Sequence, residues 1–340
     1  MAGLRSRSWS SLIPFLLWLV AFYCAWMLLL LVGQRWADVV AHWPIALAML
    51  FGSFVAGSTP MGGGTIGYPV LVMLLGNAPQ LGRDFSFAIQ SIGMTSASIY
   101  ILCTRKPLAS DMLIAACLGS ALGTPLGIWF IAPHVPEWSI TVLFAVVWAS
   151  FGLLTLRRQN QLCAHSHLVP GYHRLDRWLG AAVGFFGGGL VAAVTGVGID
   201  MLIFCTLVLV RRADLRMAVP TSVVLMAFTS LVGLFFKAAT ATLPDTVFPY
   251  WLAASPIVAL GAPFGAFVAS WVNRRFLLQF VSLLCLGQLV LGYWRHWSYL
   301  GYRGLLWGVI GLCAFQLVFL LMECIGRWLP AAQCGVDSQT

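Results

Sequence analysis

The sequence predicts an all-α polytopic membrane protein made of two inverted repeats. Each repeat has one broken or re-entrant glycine-rich helix pair plus three transmembrane helices, and one extra helix is added at each terminus. Composition is the first reason: 60% of the 340 residues are hydrophobic and 9% charged, against about half and a quarter in soluble domains. Mean hydropathy is +0.91. Run length is the second, because several uninterrupted apolar stretches approach the ~20 residues that span hydrocarbon. They lack the alternation of barrel strands. The third is a repeat. Gly52, Val55, Ala56, Thr59 and Gly62 align at one constant offset with Gly188, Val191, Ala192, Thr195 and Gly198.

Taken in order, Arg5 and Arg7 precede the apolar run Leu12 to Val32. No A-x-A site follows it, so it reads as a retained signal-anchor helix. The first break is Gly52-Ser-Phe-Val-Ala-Gly-Ser-Thr-Pro-Met-Gly-Gly-Gly64. Glycine and proline disfavour helix by about 1 and 3 kcal/mol per residue, so the helix is expected to stop there. Phe85 to Cys103, Met112 to Ala132 and Trp138 to Leu156 complete the first half. A basic loop follows, and then the second break, Gly188-Gly-Leu-Val-Ala-Ala-Val-Thr-Gly-Val-Gly-Ile-Asp200. The second half continues through a segment carrying Thr221, Ser222, Thr229 and Ser230, then Phe248 to Val272 and Phe276 to Trp294; Leu305 to Met322 lies outside the repeat. Leu122-Gly-Thr-Pro-Leu-Gly127 against Leu260-Gly-Ala-Pro-Phe-Gly265 extends the match. The expected organisation is 1–43, terminus and extra helix; 44–156, first repeat; 157–178, cytoplasmic linker; 179–294, second repeat; and 295–340, last helix and tail.

Charge sets the orientation. With the N-terminus cytoplasmic and each break returning the chain to its starting face, fourteen basic residues lie inside. Only Arg35, Arg83, Lys237, Arg295 and Arg303 lie outside, as the positive-inside rule requires. Three full spans per half then place the two breaks on opposite faces. The net charge of +9 follows from topology and anionic lipid, with no nucleic-acid partner implied. Tryptophans such as Trp43, Trp178, Trp271 and Trp294 near span ends suit an interfacial belt. The nine cysteines form no CxxC pair. Cys163, His165, His167 and His173 share a loop without zinc spacing, so no metal or cofactor is expected. P-loop, HExxH and G-x-S-x-G signatures are absent, which argues against an enzyme.

The candidate substrate site follows from helix ends. A helix that starts within the membrane leaves unpaired N–H groups and a partial positive charge, both of which favour an anion. Gly62, Gly63 and Gly64 allow close backbone approach, and Thr59 and Thr65 add hydroxyls. Thr195, Gly196 and Gly198 offer the same from half two. Gln90, Ser91 and Thr95, with Thr221 and Ser222 in the other half, form the next layer. Gln90 serves equally well as an interhelical hydrogen bond. For Gly180, Gly184 and Gly188, and for Gly119, Gly123 and Gly127, close helix packing is the expectation. Arg83, Asp84 and Lys237 sit at helix ends, where snorkelling or capping is expected. Asp200 stands alone in an apolar stretch. It reads either as a proton-coupling group or as the cap of the helix that follows it.

The paired broken helices, the polar third segment (Ser86, Gln90, Ser91, Thr95, Ser96, Ser98), Met61-Gly-Gly-Gly64 and the G-x-P-x-G pieces resemble the sulfite exporter TauE/SafE family, or TSUP transporters. The resemblance covers roughly Pro44 to Trp294. It implies a bacterial inner-membrane carrier of small anions such as sulfite, sulfonates or related oxyanions; the charge count puts both termini on the cytoplasmic side, the lipid bilayer is the expected surroundings, and a homo-oligomer is left open. The second break departs from the family pattern, with Ile199 and Asp200 where half one has Gly63 and Gly64. A secondary carrier leads among the readings; a passive anion channel, and then an intramembrane enzyme or assembly protein, are the alternatives.

Overall fold

The structure is a computed structural model that describes residues 9–164, 173–269 and 271–328. All of its regular structure is helical, and nine helices among the described residues are long and apolar enough to cross a membrane. After a 3-10 turn, α1 (Ile13–Gly33) runs as predicted, and the short α2 (Trp36–Ala41) leads to α3 (Trp43–Ser58). The break then separates α3 from α4 (Gly64–Tyr68), which continues as a π-helical turn, Pro69–Leu74. Next come α5 (Pro79–Cys103), α6 (Ser110–Leu126) with its π-helical extension Gly127–Ile131, and α7 (Glu137–Ala164). The second half begins with α8 (His173–Phe186), extended by a π turn, Gly187–Ala192, and by α9 (Ala193–Thr195). Beyond its break lie α10 (Ile199–Cys205) with the π turn Thr206–Val210, α11 (Leu215–Ala239), α12 (Val247–Val268) and α13 (Arg274–Trp328).

Both breaks are hairpins with a short return arm. Gly64–Leu74 and Ile199–Val210 are too short to cross; at ~1.5 Å per residue each reaches about 17 Å, half of a bilayer. Gly52 lies against Ile66, and Gly187 against Ile199 and Leu202, so each return arm folds back on the arm before it.

The backbone repeats as well as the sequence. Helices α5 and α11 both have 25 residues and both start after an extended residue, Ala78 (ψ 143°) and Asp214 (ψ 140°). They end in left-handed turns at Arg105 (φ 50°) and Ala241 (φ 52°), and are preceded by left-handed residues Gly76 (φ 71°) and Arg212 (φ 52°). Every one of these pairs obeys the offset that carries Gly52 onto Gly188. A left-handed residue other than glycine costs roughly 1 kcal/mol, and three of the four described ones belong to this repeat.

Packing follows the same logic. Helix α3 packs on α12 and α8 on α6, while the counterparts α5 and α11, and α7 and α13, pack on each other. Small residues make the first two contacts close. A methyl on Gly119, Gly123, Gly180 or Gly184 would strike backbone of the facing helix in the α6–α8 pair, and one on Gly57 or Gly265 would do so in the α3–α12 pair. Without a hydrophobic drive in lipid, such backbone approach is what holds helices together. The packing expectation for the Gly119 and Gly180 series therefore holds. Helices α5 and α7 form the centre, with 72% and 78% of their spanning windows buried; α1 and the last arm of α13 lie at the edge with 11%.

One sequence expectation needs correction. The linker 157–178 is not all loop, because α7 runs to Ala164 and α8 starts at His173. The middle of that loop lies outside the described residues, as do Arg5, Arg7, His165 and His167. The last two spans, Arg275–Trp294 and Gly301–Trp328, are arms of a hairpin joined by helical residues. Tyr293 Oη donates to Gly304 O at 2.8 Å, a contact that about 16 Å of straight helix would forbid, and Gly301 takes φ 51° at the bend. Ser282 meets Thr155 and Glu323 meets Arg158, so both arms flank α7.

Candidate functional site

The two breaks meet at the centre of the protein. Gly62 is closed in by Gln90 of α5 and by Asp200 of half two: a methyl group there would collide with Gln90 Oε1 and lie 3.2 Å from Asp200 Oδ2. Gly64 is packed against Ser86 and Val197, and Gly63 against Met49. The bare backbone cradle expected at Gly62 to Gly64 is therefore filled, by Met49, Ser86 and Gln90 of its own half and by Val197 and Asp200 of the other. Beside it, next to Gly63 and Gln90, lies a void of only about 10 Å³, at the limit for one water.

Asp200 sits one residue inside α10. Its Oδ1 accepts from Gly198 N (3.2 Å) and Met201 N (3.0 Å), which satisfies two donors at the break. The capping role is thus present, with Gly198 rather than Asp200 as the residue before the helix. Gly196 and Gly198 need their glycines, with φ 79° and 101°. Gln90 Nε2 donates to Ser86 O (2.9 Å) and across to Gly196 O (3.1 Å), joining α5 to the second break. Two acceptors are left over. Gln90 Oε1 and Asp200 Oδ2 are buried without a hydrogen-bond partner, and both face Gly62.

Most of the predicted hydroxyls have spent their protons. Thr59 donates to Val55 O, Thr65 to Gly62 O, Ser91 to Ala88 O, Thr195 to Val191 O or Val197 O, Thr221 to Met217 O and Ser222 to Val219 O. A hydroxyl bonded in this way presents lone pairs, not a proton, to a ligand. The expectation that these groups offer donors to an anion does not hold in this conformation. Thr95 Oγ1 is buried with no partner.

A much larger opening lies elsewhere on the same break. A cavity of about 490 Å³ reaches Gly57, Ser58, Thr59 and Pro60 at the end of α3, with Phe204 of α10, Ile101 of α5 and Val219 and Pro220 of α11 in its wall. Lys106, Arg216 and Asn273 also line it. Lys106 Nζ donates to Ala266 O at 2.5 Å, a contact that positions it there. Of the predicted site residues only Thr59 lines this space. Sequence reading counted Lys106 and Arg216 as topology signals alone. The turn after α5 and the first turn of α11 bring them together, and the offset between the halves predicts that juxtaposition once both helices are seen to be antiparallel.

The opposite end of the α5–α11 pair is closed by charge. Asp84 Oδ1 lies 2.8 Å from Arg83 Nε and 3.2 Å from Lys237 Nζ. The three residues are 1%, 8% and 3% exposed. This overturns the snorkelling expectation, because the charges point inward and pair with each other. Contact between the start of α5 and the end of α11 also makes the two helices antiparallel. Among the described residues no group of three or more His, Cys, Asp or Glu side chains is placed to hold a metal ion.

A family model described as Sulfite exporter TauE/SafE matches residues 45–292, which takes in both breaks, the cavity and the charged cluster. No curated protein and no solved structure matches the chain.

Proposed function

The chain belongs to the sulfite exporter TauE/SafE family, and on that footing we propose that it is a secondary carrier of small sulfur-containing oxyanions such as sulfite or sulfonates, working by alternating access. The family and the apolar helices make it a multi-pass membrane protein; the inner membrane, with the Lys106 and Arg216 end cytoplasmic, is the orientation that the positive-inside rule favours. The observation that carries the mechanism is the placing of one basic-mouthed cavity against one break of a duplicated, antiparallel core. Inverted repeats with paired discontinuous helices suit a carrier because each half can take the conformation of the other. The pairings α3 on α12 and α8 on α6 support that exchange.

In this reading Lys106 and Arg216 draw an anion into the cavity, and the floor at Thr59 and Pro60 must shift before it reaches Gly62. Asp200 then has a defined task. Asp200 Oδ2 and Gln90 Oε1 both face Gly62, and a proton on Oδ2 neutralises the carboxylate at the junction. Uptake of that proton couples the junction of the two breaks to the proton gradient and removes a charge that would repel the substrate.

The test is saturable uptake and counterflow in proteoliposomes with sulfite, methanesulfonate and thiosulfate, with and without a pH gradient. Saturable exchange of at least one anion is expected. Flux that neither saturates nor exchanges would indicate a pore, and no flux with any anion would end the carrier reading.

A further inference from the structure

The offset between the halves maps the wall of the open cavity onto the charged cluster. Val219 and Pro220 correspond to Arg83 and Asp84, and Ile101 to Lys237, while Thr59 and Pro60 at the cavity floor correspond to Thr195 and Gly196. One face of the core is therefore open where its equivalent is packed shut. On the shut face, Gly196 sits directly on the Arg83 carbonyl and beside Ser86. Thr195 is 1% exposed.

Two cations converge on one carboxylate oxygen, and Glu137, near the same end, is held by Gln80 Nε2 at 2.9 Å. Desolvating two cations beside a single carboxylate oxygen is costly. Two cations that converge on one carboxylate oxygen form the receptor that a small oxyanion needs. Asp84 fills that receptor from within the chain.

We infer that Arg83 and Lys237 form a second anion-binding station on the face opposite the cavity, closed in this conformation by Asp84, whose carboxylate stands where the transported oxyanion binds when that face opens. The inference rests on the carrier reading for its purpose, but its geometry is testable without transport. An arriving anion replaces Asp84 on the two cations, and the freed Asp84 no longer ties α5 to α11. The station is thus both landing site and latch.

The experiment uses Ser86→Cys as a reporter two residues further into α5 than Asp84, beside Gly196, and Val219→Cys as a reporter in the cavity wall. A membrane-impermeant thiol reagent is applied to each face of oriented vesicles, and modification at each position is read by mass spectrometry, so that the native cysteines do not interfere. Asp84→Asn should speed modification at position 86 from its own face about tenfold, the size of a one-decade population shift, and slow it at position 219 from the other. Methanesulfonate should protect position 86 in the Asp84→Asn protein, and added Lys237→Gln should remove that protection. The inference is overturned if Asp84→Asn leaves position 86 unchanged, if both reporters speed up together as in a loosened fold, or if protection survives Lys237→Gln. Sulfite counterflow by the unsubstituted chain is a separate measurement, so the carrier reading can fail while the station stands, and the reverse.

Discussion

The two breaks occupy equivalent places in the chain and solve the same problem differently. In half one the turn from Thr59 to Gly64 has no charged group, and its glycines yield space to side chains that arrive from elsewhere: Gln90, Asp200, Val197. In half two the turn supplies its own ligand, because Asp200 Oδ1 satisfies Gly198 N and Met201 N, while two left-handed glycines make the bend. One break is a socket and the other a plug. A duplicated core therefore need not have duplicated chemistry, and the carboxylate at the junction, Asp200, belongs to the half that departs from the repeat.

Four substitutions would break or sharpen that contrast. The largest effect is expected from Gly62→Ala, since the socket has no room for a methyl group. Pushing the Gln90 amide aside should cost about 3 kcal/mol of stability, seen as a lower melting temperature in detergent, and should abolish anion counterflow. Gly196→Ala comes next, with about 2 kcal/mol from a left-handed backbone and from contact with the Arg83 carbonyl; a melting temperature equal to that of the parent would show that the plug does not need its bend. Asp200→Asn should change stability by no more than ~1 kcal/mol, because the Oδ1 acceptor for Gly198 N and Met201 N is kept. Its signature is kinetic: transport should lose its dependence on external pH, and an unaltered pH profile would remove the proton from Asp200. Smallest is Gly63→Ala, costing about 0.5 kcal/mol, because the nearest atom is the flexible end of Met49 at 3.2 Å and a core side chain of that kind adapts. If Gly63→Ala proved as damaging as Gly62→Ala, the socket would be a property of the whole glycine run.

Length and hydropathy were enough to read the spans, and the glycine pairs that hold α6 to α8 were legible because close packing leaves small residues at helical spacing. The hairpin at Gly301 was visible only as two apolar runs, because nothing local shows that helical residues join them. The site was less legible for a definite reason. Sequence places Gly62, Gln90 and Asp200 in three separate segments, and nothing local says that they meet. Lys106 and Arg216 were assigned to topology because a charge at a span end looks the same whether it faces lipid headgroups or a cavity. Arg83 and Lys237 were read as snorkelling for the same reason, and only the antiparallel packing of α5 on α11 turns them inward onto Asp84.

The matched π turns, Pro69–Leu74 and Thr206–Val210, lie in the two return arms and hold their surplus residue through the bonds Leu75 N to Val70 O and Arg211 N to Thr206 O. A surplus residue in a helix is a dislocation, and a dislocation can glide: each step along the axis exchanges one hydrogen bond for another and swivels the residues it passes by roughly 100°. The arms beside both breaks thus have a built-in bearing. Their tips at Gly62 and Asp200 can rotate against each other while the long helices that frame them keep their packing.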